Sequence, residues 1–293
     1  MVFFIRAVRI SIYNFKMTIS SIRVLAVLIL IALFIARNLE PVLEFSNIVK
    51  IGVTPYAFPF LTNDFICQLV MMAGAVFIFS NAPFEDDGHL YRLSRSGRFS
   101  WGLGQVFYII GMSFLYVLFL ILISTLPLAG HLELADKWGK IWETLAKTDA
   151  GVQVKLLLHV TEYMVNHNSA AAAMAKSWLL EWGCVSWLGL LIYLLNKFSG
   201  KALGTCTGAF FVLLDICISN DWMNWANRFS PITLAQINTY SGYNLQYHIT
   251  LTYGILFFIT GIIALGILCI LANYREHPES WCLMPERKWR QMQ

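Results

Sequence analysis

The chain has 293 residues, 58% of them hydrophobic and only 13% charged, with a formal net charge of +4. A mean hydropathy of +0.62 excludes a soluble domain, in which about 45–50% of residues are apolar. The net charge says little by itself; its distribution along the chain says more.

The apolar runs approach the roughly 20 residues that carry a helix across a ~30 Å hydrocarbon core. They are continuously apolar rather than alternating, which favours helices over a β-barrel. The reading is all-α: a polytopic membrane protein with six spans at about 21–36, 65–82, 103–129, 177–195, 202–218 and 249–272, the first and fifth being short. The opening residues carry Arg6, Arg9 and Lys16 within one helical arc and Phe4, Ala7, Val8 and Phe15 on the opposite side. That pattern predicts an interfacial helix over 1–20, lying in the headgroup plane, followed by a transmembrane domain over 21–293. The interruption by arginines leaves no clean signal-peptide core.

Residues 37–64, with Pro41, Pro55 and Pro59, read as an irregular outer loop. Between the second and third spans, residues 85–98 open with Glu85, Asp86 and Asp87 and continue through Arg92, Arg95 and Arg98. In a chain this apolar such a segment must lie in water. The insertion 130–176 places Trp138, Ile141, Trp142 and Leu145 at helical spacing and predicts helices resting on the outer surface or capping the bundle. In the fifth span Gly200, Gly204 and Gly208 form overlapping GxxxG units, a flat face for intrachain helix packing. Trp222, Trp225, Tyr240, Tyr243 and Tyr247, in 220–248, resemble an aromatic belt.

With the N-terminus in the cytoplasm, the short inner segments hold Arg6, Arg9, Lys16 and Arg23, then Arg92, Arg95 and Arg98, then Lys197 and Lys201, then Arg275, Arg287, Lys288 and Arg290. These are thirteen of the 21 lysines and arginines, and short loops weigh most in the positive-inside rule. Both termini and the 85–98 loop are therefore expected inside. All six cysteines fall in spans or the C-terminal tail, so no disulfide framework is expected.

Two acids interrupt the apolar runs: Glu181, one turn into the fourth span, and Asp215, near the outer end of the fifth. Intramembrane acids raise a functional hypothesis. Their closeness to the outer interface favours hydrated helix ends or helix-pairing hydrogen bonds over a relay across the bilayer. The chain has no Walker A, since Gly200-Lys201 lacks the upstream glycine and the Ser or Thr that holds Mg²⁺. It has no HExxH, its histidines are scattered, and no serine or cysteine has a base nearby in sequence. What remains is a transport-like bundle without an internal energy source.

In plan the chain resembles a permease subunit of the ABC-2 type exporter family. The likeness rests on the N-terminal elbow helix, six spans, the charged loop 85–98 leading into Trp101-Gly102-Leu103-Gly104, and Phe229-Ser230-Pro231 before the last span. It implies that the loop is a coupling helix in which Glu85, Asp86, Asp87, Arg92, Arg95 and Arg98 contact a separate ATPase. It also implies a second permease subunit, lipid surroundings, no nucleic acid, and a plasma membrane of bacterial type. ATP and Mg²⁺ would be bound by the partner, and this chain would be non-catalytic. The insertion 130–176 departs from the family's short loop there. The rival expectations are a ligand sensor or scaffold acting through its outer loop, and an integral-membrane enzyme.

Overall fold

A computed structural model of the protein describes residues 2–83, 89–133, 135–199, 201–241 and 248–273. Glu85, Asp86, Asp87, Gly200, Tyr243, Tyr247 and the C-terminal cations lie outside the described residues. Among the described residues there are only helices, turns and one isolated bridge, Val53 to Leu132. In chain order the helices are α1 (Val2–Ile19), α2 (Ile22–Val49), α3 (Phe58–Asn63), α4 (Phe65–Phe79), α5 (His89–Ser96), α6 (Arg98–Thr125), α7 (Gly139–Lys147), α8 (Ala150–Gln153), α9 (Glu162–His167), α10 (Ala170–Ser199), α11 (Lys201–Ser219), α12 (Pro231–Ala235) and α13 (Leu251–Ala272). Five of them (α2, α6, α10, α11 and α13) are long and apolar enough to cross a membrane.

The second expected span is the exception. Its helix α4 has 15 residues, about 22 Å at 1.5 Å per residue. The cause is local. Asp64 leaves the helical conformation, and its carboxylate accepts from the backbone N–H groups of Ile66 and Cys67, which caps α4 and separates it from α3.

The stretch 37–64 is likewise not irregular. Helix α2 continues through Pro41 to Val49. The proline costs one backbone hydrogen bond, but Ile35, Leu39, Val42 and Ser46 continue one buried face across it, and Arg37 and Glu40 form an ion pair one turn apart. Packing of that face outweighs the lost bond.

Helix α10 is the hub, packed against α4, α6, α11 and α13. The alanines before the expected fourth span extend it two turns further than hydropathy indicates. Side-chain bonds from Asn196 to the Ala82 and Ser80 carbonyls and from the Gly204 amide to Asn196 join the ends of α4, α10 and α11. They mark one end of the bundle, which also carries α1 and α5. At the far end α7 caps the bundle. The Thr54 hydroxyl donates to the Trp138 carbonyl at 2.6 Å, the Trp142 indole donates to the Thr54 carbonyl, and Trp142 stacks on Phe60 at 4.8 Å. The glycine face of α11 works within the chain: a Cβ at Gly204 would strike Asn196 and the Ile192 carbonyl, and one at Gly208 would press on Val76 and Ile192.

Candidate functional site

Helix α1 lies on α6 through a face that is small and polar rather than greasy. Ala7, Ile10, Ser11, Asn14 and Thr18 are buried. Gly104 lets the two backbones approach, since a Cβ there would sit 2.8 Å from the Ala7 carbonyl. Asn14 donates to Gln105 at 2.9 Å, and Thr18 shares a 2.6 Å hydrogen bond with Tyr108. Arg6, Arg9 and Lys16 are exposed, as expected. Phe4 is also exposed, together with Phe3, Ile5, Ile12 and Ile19. The helix therefore has three faces, and the two-faced reading is corrected: Ala7 faces protein, not lipid.

On this base sits α5. Leu93 is buried with Ile10 and Trp101 in a cluster of its own. His89 meets the Trp101 ring at 4.8 Å, and the Arg92 guanidinium lies 4.2 Å from the centre of the Tyr13 ring. A cation over an aromatic face contributes about 0.5–2 kcal/mol, depending on desolvation. Tyr91, Ser94 and Arg95 point outward, with Arg95 bonded to the Tyr91 hydroxyl at 3.2 Å. Gly97, at φ +82°, makes the turn into α6, a backbone conformation that a side chain would strain. Arg98 opens α6 and is half-buried. Of the three arginines, Arg95 alone is fully presented, and Arg92 is turned onto α1.

The second constellation lies toward the far end and is buried. Glu181 is 0% and Asp215 2% exposed, which corrects the expectation of hydrated helix ends. Because α10 begins at Ala170, Glu181 stands about three turns inside it, covered by α4 and α6. The helix-pairing alternative is the one realised. Gln68 of α4 donates to the Glu181 Oε2 at 3.1 Å. Asp215 accepts from Thr233 at 2.6 Å and from Gln236 at 3.0 Å, which ties α11 to α12. Neither carboxyl has a cationic partner among the described residues.

Around them the fit is tight. Ser230 caps α12, the Asn238 backbone amide donates to Asn63 at 2.7 Å, and the Tyr240 hydroxyl donates to the Leu234 carbonyl while its ring leaves no room for a Cβ at Gly254. Burial pushes the Tyr240 phenol upward, so it remains a neutral donor. Of the expected aromatic belt, Trp222 and Trp225 are exposed, whereas Tyr240 is half-buried and turns its hydroxyl into the protein.

An apolar cleft of about 400 Å³ opens between α6, α10 and α13, lined by Ile110, Trp182, Phe258 and Ile259 among others, with Lys176 on its wall. Sequence reasoning missed Gln68, Gln105 and Asn14. Single polar residues in apolar runs were the available signal. Comparison with protein-family models, with curated proteins and with solved structures finds no match.

Proposed function

We propose that the chain is the membrane subunit of an ATP-driven exporter, in which a separate ATPase grips the 85–98 segment from the cytoplasm. The observation that carries this reading is α5: a short helix held on α1 and α6 by His89, Arg92 and Leu93, with Tyr91, Ser94 and Arg95 facing away. A force applied to the outward face would pass through Trp101 into α6, which packs on α10 and α13. Rigid contacts of this kind carry coupling between sites when the elements have two arrangements.

In this reading α3 and α4 together make the second of six traverses, and α1 is the elbow helix. The exposed Arg6, Arg9 and Lys16 share the α5 end, as positive-inside charge requires. The apolar cleft beside α10 suits an amphipathic peptide, lipid or hydrophobic drug better than a sugar or an ion. Two such subunits would meet two ATPases.

The test is to purify the tagged full-length chain from its own membranes in mild detergent and identify what accompanies it. A Walker A protein should co-purify with the wild type and be lost from Arg95→Glu, whose thermal melt stays unchanged. Recovery of no such ATPase, or its full retention by Arg95→Glu, ends the exporter reading.

A further inference from the structure

The bond between Gln68 and Glu181 leaves two atoms behind. The amide nitrogen of Gln68 donates to one oxygen of Glu181. The other carboxyl oxygen, Oε1 of Glu181, and the amide oxygen, Oε1 of Gln68, are both buried without a partner among the described residues. Both residues are 0% exposed. Buried polar atoms in native proteins are nearly always satisfied, and an exception calls for a specific cause.

Here both orphans are acceptors when the carboxyl is ionised, so neither can satisfy the other. One proton changes that. A carboxylic acid and a primary amide pair in a closed ring: the amide N–H donates to one acid oxygen, and the acid O–H donates back to the amide oxygen. The first of these two bonds is present. A proton on Oε1 of Glu181 would supply the second donor and remove both orphans together.

The alternative, an ionised Glu181, must hold a charge in a region bounded by apolar helices, where among the described residues a neutral amide is all that bonds it. Such a charge is costly in a membrane interior, and burying an unpaired carboxylate is costly anywhere. The titratable groups that face the pair do not offset it either. Asp215 from α11 and Cys184 on α10 itself can only add negative charge. Tyr116 of α6 spends its hydroxyl on the Met71 carbonyl at 2.6 Å. Asp215 makes a useful contrast, since both of its oxygens already accept a hydrogen bond, from Thr233 and Gln236.

We infer that Gln68 and Glu181 form a proton-binding site, in which Glu181 is a neutral acid whose O–H closes an amide–acid ring and joins α4 to α10. Binding takes up one proton on the carboxylate and breaks no covalent bond. Losing it places a charge between the two helices and breaks one of the two bonds of the ring. The site therefore ties the packing of the short helix α4 to proton occupancy. It does not depend on an ATPase partner, so it can stand or fall separately from the exporter reading.

The experiment is infrared spectroscopy of the full-length protein in lipid nanodiscs, from acid to alkaline pH, in H₂O and D₂O. The wild type should show a carboxylic-acid C=O band at neutral pH that Glu181→Gln lacks and Asp215→Asn keeps. Gln68→Leu, which retains the acid and removes its ring partner, should move that band to higher wavenumber. This second variant decides the matter if Glu181→Gln does not purify as a monodisperse protein. The proposal is overturned if the wild type has no such band, if the band survives Glu181→Gln or disappears with Asp215→Asn, or if Gln68→Leu leaves it in place. It is also overturned if sodium in place of choline raises the melting temperature of the wild type but not of Glu181→Gln, which would assign the two open oxygens to a metal ion.

Discussion

Two of the helix seams in this protein pair a side-chain amide with a second side chain and leave polar atoms over, and they solve the same problem in opposite ways. Between α1 and α6, Asn14 donates to Gln105 and leaves behind a donor, the Gln105 amide, and an acceptor, the Asn14 carbonyl. Two amides complement each other without help, so a small rotation closes that pair at any pH. Between α4 and α10, Gln68 donates to Glu181 and leaves behind two acceptors. That pair lacks a proton rather than a rotation. The first seam is structural by its chemistry, and the second can respond to its surroundings.

The effect that displaces the most structure, a whole docked helix, should come from the backbone of the first seam. Gly104→Ala adds helix propensity, about 1 kcal/mol in an exposed helix, but its Cβ would sit 2.8 Å from the Ala7 carbonyl and from Ile10. Overpacking of this kind costs about 1–3 kcal/mol, so the net effect should be destabilising. Undocking of α1 should appear as faster protease cleavage near residue 20 together with a lower melting temperature. A melt that rises instead would show that α1 does not hold to α6 as described.

Next come the polar pairs themselves. Glu181→Leu strands the Gln68 amide, and an unsatisfied buried donor costs about 1–3 kcal/mol. Adding Gln68→Leu should recover most of that loss, because replacing both partners by apolar groups can be nearly neutral. For Asn14 and Gln105 the same cycle should give a coupling near 0.6 kcal/mol, the average found in membrane proteins, and it should be identical at acid and alkaline pH. The Gln68–Glu181 coupling should weaken as pH rises, because a deprotonated Glu181 keeps only one of the two bonds. Equal pH dependence in both cycles would erase the distinction between the seams.

Much of the helical plan was legible because membrane helices announce themselves by continuous apolarity. Helices α6, α11 and α13 begin or end within a few residues of the expected spans. What was hidden depended on partners remote in sequence. Asn14 and Gln105 are 91 residues apart, and Gln68 and Glu181 are 113 apart. No periodicity within one helix reveals such a meeting. The 37–49 helix was hidden for a different reason: Pro41, Arg37 and Glu40 read as punctuation, whereas the buried face of α2 runs straight across them. Similarly, hydropathy cannot see Asp64 bending back to cap α4. The glycines of α11 were readable because a close approach needs only the absence of a side chain.

The smallest effect on stability, and the most telling for function, belongs to the end of the bundle that carries α5. Arg92 and Arg95 are three residues apart and carry the same charge, yet only one of them holds the fold together. Arg92 lies over Tyr13, so Arg92→Glu removes a cation–π contact of about 0.5–2 kcal/mol and should loosen α5 from α1. Arg95 is exposed and, among the described residues, bonded along its own helix to Tyr91. Arg95→Glu should therefore change stability by no more than about 0.5 kcal/mol, as exposed substitutions usually do. If a motor subunit docks on α5, Arg95→Glu should abolish its recovery with the melting temperature intact, whereas Arg92→Glu should lower both together. Should the two variants behave alike, the outward face of α5 has no role separate from its inward one, and the helix is only a lid on the α1–α6 seam.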